Sequence, residues 1–533
     1  MDILFAEGSE KKTVTLPEQT LKDLAVEDLI RGIAMNQEER AILKEMWAKV
    51  PVDPKDIRFR QEIFHDLQVN TNLRDSLYES LSMIKTMKEY AGAKHAVSDK
   101  DNALYTLVSD LRSLSAYVNT SRYLCEKLSD AELRAPGLLQ LRDELKTITG
   151  TKEFEEAGTD INKMLEDLST VQGAIIGVNF EPDLTIKEIS AIEFLPYPTR
   201  SRYKFAELAT FITSLASAGQ NAQGAGSRAA VQRMTDPLLV AIAPKLEKHL
   251  KRHFAEIQRL LSKYTRLDSH FITEMYEGLT FYLSAARYAE RLTEKGYEIC
   301  IPKIDESRSG FLEAKDFYNI RMALIGEKNV VKNDFTFSRE ERLFILTGPN
   351  RGGKTILEQG LGLLSLMTSL GLFVTASSCC GLPFKNILTH FPIDENLTIN
   401  YGRLGEEAIR IRAIVQEADE DTLVLFNETY STTSETDALY LSQDLLHILK
   451  DRGSAVIFNT HIHELARGIE AMDAWEGKSR VVSLVMEIKD NVNTFKLKRS
   501  APDTSSYARN IAMKYGITYE QMKEASAPSE TST

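Results

Sequence analysis

No run of apolar residues in this chain reaches the roughly 18 positions that a membrane-crossing helix needs. No transmembrane helix or membrane partner is therefore expected. The opening residues, MDILFAEGSEKK, lack the basic-then-apolar order of a secretory leader. Cysteine is scarce: Cys125, Cys300, Cys379 and Cys380 form no CxxC pair, and adjacent Cys379 and Cys380 make a poor ordinary disulfide. That excludes a disulfide scaffold and a cysteine zinc framework, and suits a reducing compartment. A cytoplasmic location is expected, nucleoid-associated if the source is prokaryotic. No repeat of fixed period runs through the sequence. A basic balance is missing too. The formal charge of -12 argues against smooth electrostatic coating of nucleic acid, while leaving room for a local basic face.

What is present suits a soluble multidomain protein. Hydrophobic residues make up 43% of the 533 and charged residues 27%, so a sizeable core can form. The length corresponds to roughly three or four domains. Residues from 20 to 170 read as successive helices: Leu73, Leu77, Leu81 and Ile84, then Leu104, Leu107, Leu111, Leu114 and Val118, recur at the helical period. Breaks fall at 50–54, 94–101 and 135–137. From 171 to 180 the chain turns β-branched, and 186–195 reads as a returning strand. The Gly-rich stretch 217–227 reads as a flexible loop. Helix resumes near Asp236. It carries Lys245, Lys248, Lys251, Arg252, Arg259, Lys263 and Arg266, either a solvated face or a nucleic-acid contact. From 316 the texture is α/β, with buried strands expected at 343–346, 423–426 and 455–458 and a strand pair at 481–488 and 495–499.

Three segments carry chemistry. GPNRGGKT, comprising Gly348, Pro349, Asn350, Arg351, Gly352, Gly353, Lys354 and Thr355, fits the P-loop pattern without mismatch. It lies between an apolar strand and a helix-like run at 356–370. Its glycines let backbone N–H groups close round phosphates, and the helix N-terminus adds partial positive charge. Lys354 is expected on the β- and γ-phosphates of ATP, and the Thr355 hydroxyl on Mg²⁺. The second segment, TLVLFNE, ends a strand with Asn427 and Glu428. An Asp commonly occupies the first position and helps hold Mg²⁺. Asn427 can reach the ion indirectly, through a water, and brings no charge. Glu428 is expected to orient or deprotonate the attacking water and to stand near the metal. The third segment, VIFNTHIHEL, puts His461 at a strand exit, where it can sense the γ-phosphate. His461, His463 and Glu464 do not have the HExxH metal spacing. Between the last two segments, STTSETD opens a helix with Ser434 as N-cap.

Together GPNRGGKT, FNETYSTTSETDALYLSQDLL and FNTHIHELA resemble the MutS family of DNA mismatch-repair ATPases. That family usually spells them GPNMGGKS or GPNMGGKT, DE-x-GRGTST-x-DG-x-x-L and THYHEL. The stretch 503–512 looks like the family's S-Y-G-I-x-V-A segment, and 331–334 is similar to its F-V-P-N-D stretch near the adenine, which implies that Asn333 contributes to the nucleotide site. The resemblance implies a largely α-helical lever and clamp region with a small β insert, followed by an α/β P-loop ABC-type ATPase domain. The expected division is 1–170 lever, 171–235 clamp-like insert and loop, 236–315 returning lever helices, 316–520 ATPase and 521–533 disordered tail. It implies a homodimer with composite ATP sites, in which Ser434 approaches the partner's γ-phosphate in trans. It also implies shape-specific binding of mismatched, branched or distorted DNA, and repair-protein partners. Glu428, His461 and Lys354 are the expected catalytic residues, and ATP and Mg²⁺ the cofactors. Three departures stand out. Asn427 replaces Asp. Tyr430, Ser431 and Thr432 replace Gly-Arg-Gly. The expected organisation has neither a mismatch-reading domain ahead of the lever nor a nuclease domain after residue 520. A nucleotide-switched protein scaffold without DNA contact is the alternative.

Overall fold

The computed structural model describes residues 2–96, 103–168, 173–183, 186–198, 251–264, 267, 270–307, 312–392, 402–431, 433–477, 479–489, 492–501, 513 and 515–526. The chain divides into two compact units. One comprises Met1–Asp2, Asn72–Leu133 and Leu138–Leu279. The other comprises Ile3–Thr71, Arg134–Gly137 and Thr280–Thr533.

The first unit is helical. Helix Thr71–Ala96 buries Leu73, Leu77, Leu81 and Ile84, and helix Ala103–Asp130 buries Leu111 and Val118. These are the stripes that the 3.6-residue period aligns. Phe154 from helix Lys152–Leu168 is fully buried, edge-on to Tyr117 and under the Arg122 guanidinium.

Strands are numbered in chain order. A short ribbon pairs β1 (Thr13–Thr15) with β2 (Lys49–Pro51). In the helical unit, β3 (Gly173–Phe180) and β4 (Ile186–Leu195) form an antiparallel hairpin with register shifts at Ile175/Ile176 and Asn179/Phe180. In the second unit β5 (Lys303–Ile304), β6 (Leu312–Phe317), β7 (Asn333–Phe337) and β9 (Ser378–Gly381) make a four-stranded sheet in the order β5-β9-β6-β7. The main sheet takes β8 (Glu341–Thr347), β10 (Asn386–His390), β11 (Thr422–Asn427), β12 (Ala455–Asn459), β13 (Arg480–Lys489) and β14 (Val492–Arg499). Their order is β10-β11-β12-β8-β13-β14, and only β14 runs antiparallel to its neighbour. Leu343, Ile345, Val424, Phe426, Val456 and Phe458 are fully buried, as expected of parallel strands covered on both faces. Phe335, Phe337, Phe344 and Phe384 join the sheets through ring contacts.

Two features differ from the sequence reading. Residues 3–71, read as the start of a lever, pack within the nucleotide-site unit. Thr20 Oγ1 donates to Ile387 O at 3.1 Å, Thr389 Oγ1 donates to Asp23 at 2.7 Å, and Phe64 stacks on Phe373 at 5.8 Å. Helical periodicity reveals an apolar stripe and says nothing about what covers it. The tail read as disordered begins with a helix, Tyr519–Ser526, whose first turn uses the Thr518 hydroxyl as acceptor for the Gln521 N–H. Residues 527–533, the 217–227 loop, Lys245, Lys248, Arg266 and the 503–512 stretch lie outside the described residues. Among the described residues no helix is long and apolar enough to cross a membrane.

Candidate functional site

The loop from Gly348 to Gly353 joins β8 to helix Lys354–Ser369. Gly348 and Gly353 have φ of +143° and +88°, where side chains are strained. A Cβ on Gly348 would lie 2.9 Å from Met486 Cβ, so the loop can lie this close to β13 only with glycine there. Lys354 is 5% exposed, and its Nζ donates to Gly348 O at 3.0 Å and Pro349 O at 3.2 Å. Burial lowers its pKa, with the Glu428 carboxylate acting the other way. A desolvated ammonium at a helix N-terminus, held inside its own loop, matches an anion as ligand.

The parallel sheet brings the second and third motifs to the same edge. In register, Asn427 lies opposite Asn459, and Asn459 follows Phe458, which lies opposite Ile345 of β8. Thr355 Oγ1 donates to Asn427 Oδ1 at 3.2 Å, and Asn459 Nδ2 donates to the same oxygen at 2.6 Å. Asn459 Nδ2 also reaches Glu358 Oε2 at 3.3 Å. A polar chain thus runs Thr355–Asn427–Asn459–Glu358. Glu358 is fully buried, and burial pushes its carboxyl well above the usual range. Its Oε1 and Asn459 Oδ1 have no hydrogen-bond partner. Thr355, Asn427 and Glu428 offer oxygens of the kind a hard divalent cation such as Mg²⁺ takes, and Glu428 is the carboxylate among them.

Glu428 has φ 51° and Tyr430 φ 63°, both left-handed for non-glycine residues, at about 1–2 kcal/mol each. The turn is tied down. The Glu428 N–H donates to Asn459 O at 2.9 Å, and Tyr430 is buried in the core. His461 Nε2 lies 2.9 Å from Glu428 Oε1. That hydrogen bond holds the Glu428 carboxyl below its usual range, against burial. His461 is placed in turn by the Thr460 N–H, which donates to Leu346 O of β8, the strand that enters the P-loop, at 3.0 Å. His463 instead opens the next short helix, His463–Arg467.

Two expected residues are engaged elsewhere. Asn333, at the start of β7, donates from Nδ2 to Phe495 O at 3.1 Å and accepts from Leu497 N at 2.7 Å. Its amide fastens β14, whose Phe495 side chain closes on Gly353. Ser434 caps helix Glu435–Arg452; its hydroxyl donates to Asp437 Oδ2 at 2.6 Å and accepts from Asp437 N at 3.2 Å. Arg351, with φ 62°, is held through its carbonyl by Asn493 Nδ2 at 3.2 Å. Glu358, Asn459 and His390 escaped the sequence reading. The available signals were an acid inside the apolar run ILEQGLGLL and a histidine ending the strand NILTH.

Residues 344–530 match the family model described as MutS domain V. A protein named Endonuclease MutS2 from Acetivibrio thermocellus is 22% identical over 477 residues, 85% of this chain and 55% of that protein. Another Endonuclease MutS2, from Thermus thermophilus, is 29% identical over 221 residues, 42% of this chain and 29% of its own length. A third, from Clostridium kluyveri, is 30% identical over 207 residues, 38% of this chain and 25% of its own length. The chain spans about half the length of the first of these relatives and less of the others.

Proposed function

We propose that this chain, a MutS-family protein by the domain V it carries, is an ATP-dependent DNA-binding protein that hydrolyses ATP slowly in DNA repair or recombination. The observation that carries this reading is the pairing of Thr355 with Asn427 and of Glu428 with His461 at the mouth of one P-loop. Lys354 and the loop N–H groups hold the phosphates. Thr355 and Glu428, with Asn427 reaching through a water, would hold Mg²⁺, which would supply charge neutralisation to the phosphates. Glu428, kept ionised by its His461 partner, takes the proton of the attacking water or orients it. Asn427 gives the cation no charge, so turnover is slow. Two copies form composite sites, each Ser434 leaving Asp437 to meet the other copy's γ-phosphate, and closure changes the grip on DNA of distorted shape.

The test is a steady-state ATPase assay of the full chain beside Glu428→Gln. It is joined to a binding panel of homoduplex, mismatched, junction and single-stranded DNA with ATP, ADP and no nucleotide. ATP-sensitive, salt-dependent binding to a distorted DNA supports the reading. Absence of salt-dependent binding to every DNA removes the DNA claim and favours the second reading, a nucleotide-switched scaffold for protein. One observation favours that second reading. Lys263, from the basic helix, is paired with Glu156 and Asp160, both at 3.1 Å.

A further inference from the structure

His390 ends β10, beside the strand that delivers Glu428, and nothing in the nucleotide reading uses it. Its register partner is Phe426, two residues before Glu428, and the two rings lie 6.2 Å apart. The side chain is 1% exposed. Nδ1 lies 2.9 Å from Thr429 Oγ1, while Nε2 has no partner. Burial, with the charge of Arg410 adding to it, pushes its pKa down to about 3, so the ring is neutral wherever the protein is folded near neutrality. Thr429 is 2% exposed and sits between the two left-handed residues Glu428 and Tyr430. A buried imidazole holding only the hydroxyl of that middle residue has an unusual place for a packing residue. A phenylalanine would fill the space and leave no unsatisfied nitrogen.

We infer that His390 is a positioning residue for Glu428, holding through Thr429 the left-handed turn that aims the Glu428 carboxylate. The turn is then fixed at each residue by a different strand or by the core. Glu428 is held by β12 through Asn459 O, Thr429 by β10 through His390, and Tyr430 by burial. The β10 contact reaches further, because Thr389, the residue before His390, donates to Asp23. Asp23 O in turn accepts from Gln359 Nε2 at 2.8 Å, on the P-loop helix. The strand that carries His390 is therefore braced against the element that carries Thr355. The kinetic part of this inference rests on the proposed ATPase reading, whereas the hold on the turn does not.

The experiment compares the full-length protein with His390→Phe, which keeps a ring, and His390→Asn, which can restore a polar atom near Nδ1. Amide hydrogen exchange at Glu428 and Ser431 reads the turn without reference to activity. We expect exchange at least about tenfold faster in His390→Phe and close to the original in His390→Asn. Steady-state ATPase should show kcat lowered roughly tenfold to a hundredfold in His390→Phe, with KM for ATP within about twofold. Thr429→Val should give the same pattern, and the double variant should be no worse than either single one. If His390→Phe does not fold, Thr429→Val against Thr429→Ser carries the same comparison. Unchanged exchange in the Phe variant overturns the hold. Faster exchange with unchanged kcat, in a protein that does hydrolyse ATP, overturns the positioning of Glu428. A starting protein with no hydrolysis defeats the ATPase reading instead, and the exchange result still decides the hold.

Discussion

Phe154 and Glu358 are both fully buried, one in each unit. Phe154 meets Tyr117 and Arg122 in a helical interior whose stability is a matter of volume and shape. Glu358 ends a chain of amides and a hydroxyl in an interior that spends stability on placing polar atoms. The helical unit holds pairs such as Lys263 on Glu156 and Asp160, or Lys187 on Glu181, at its surface, and buries Arg74 beside Asp75. The other unit takes Lys354, Asn427, Asn459, Asp23 and His390 inside. Buried polar groups are costly unless partnered, so their clustering at one sheet edge points to chemistry there. Among the described residues of the helical unit the buried polar groups are Arg74 and the hydroxyls of Ser80, Ser109, Thr120 and Ser121, with no carboxylate, amide or imidazole among them.

The largest break in this comparison comes from Glu428→Gln. An isosteric amide keeps the His461 hydrogen bond available and removes the base. The kcat for ATP should fall about 10³-fold, or ~4 kcal/mol of barrier. Equal rates in the two proteins would mean that Glu428 does no chemistry. The matching change in the helical unit is Phe154→Ala, which should cost about 3 kcal/mol of that unit's stability. If the two units are built as independently as their interiors suggest, denaturant unfolding should show the helical transition moved while binding of a fluorescent ATP analogue persists. Loss of both together would show one cooperative structure.

These cases also show what the sequence could tell. The placement of GPNRGGKT, Glu428 and His461 together was legible because each lies on a short segment leaving a strand, and strand exits of a parallel sheet share an edge. The strands at 343–346, 423–426 and 455–458 were legible as apolar runs. Glu358 and His390 were not, since their meaning lies in partners about 100 and 39 residues away, Asn459 and Thr429. The packing of Asp23 against Thr389 was hidden for the same reason, and with it the place of residues 3–71. Asn333 was found by its resemblance to an adenine-side motif, yet the bonds it makes are to the β14 backbone.

A smaller effect is expected at Glu358, and its sign can be worked out. Its folded pKa is raised by burial. Below roughly pH 4.3 the folded and unfolded forms are both protonated there and the group contributes nothing. As pH rises beyond that, the unfolded chain releases a proton that the folded chain retains, so this carboxyl lowers stability progressively until the folded form ionises. Glu358→Gln removes that slope. The variant's denaturation midpoint should gain on the original between pH 5 and pH 8, by less than Phe154→Ala loses. A gap that stays constant with pH would mean that the carboxyl is ionised in the folded protein, and that the interior around Asn459 accepts a charge.

The smallest effect belongs to Lys263, and it bears most directly on what the helical unit binds. Its ammonium is exposed, its pKa is raised by the Tyr264 hydroxyl, Glu156 and Asp160, and Tyr264 also donates to Asp160 at 2.6 Å. Exposed pairs add little to stability, so Lys263→Ala should leave the thermal midpoint within a degree or so. The informative measurement is DNA affinity against salt. A lysine already neutralised by two carboxylates releases no counterion, and the slope of log K on log salt should be unchanged. A lysine that abandons its acids for a phosphate would lower the slope by about one unit when removed. An unchanged slope keeps the helical unit's charges in their own surface network, as the comparison requires. A lowered slope would make the pair a latch that DNA opens, and the acidic neighbours Glu156 and Asp160 would then disfavour binding until it opened.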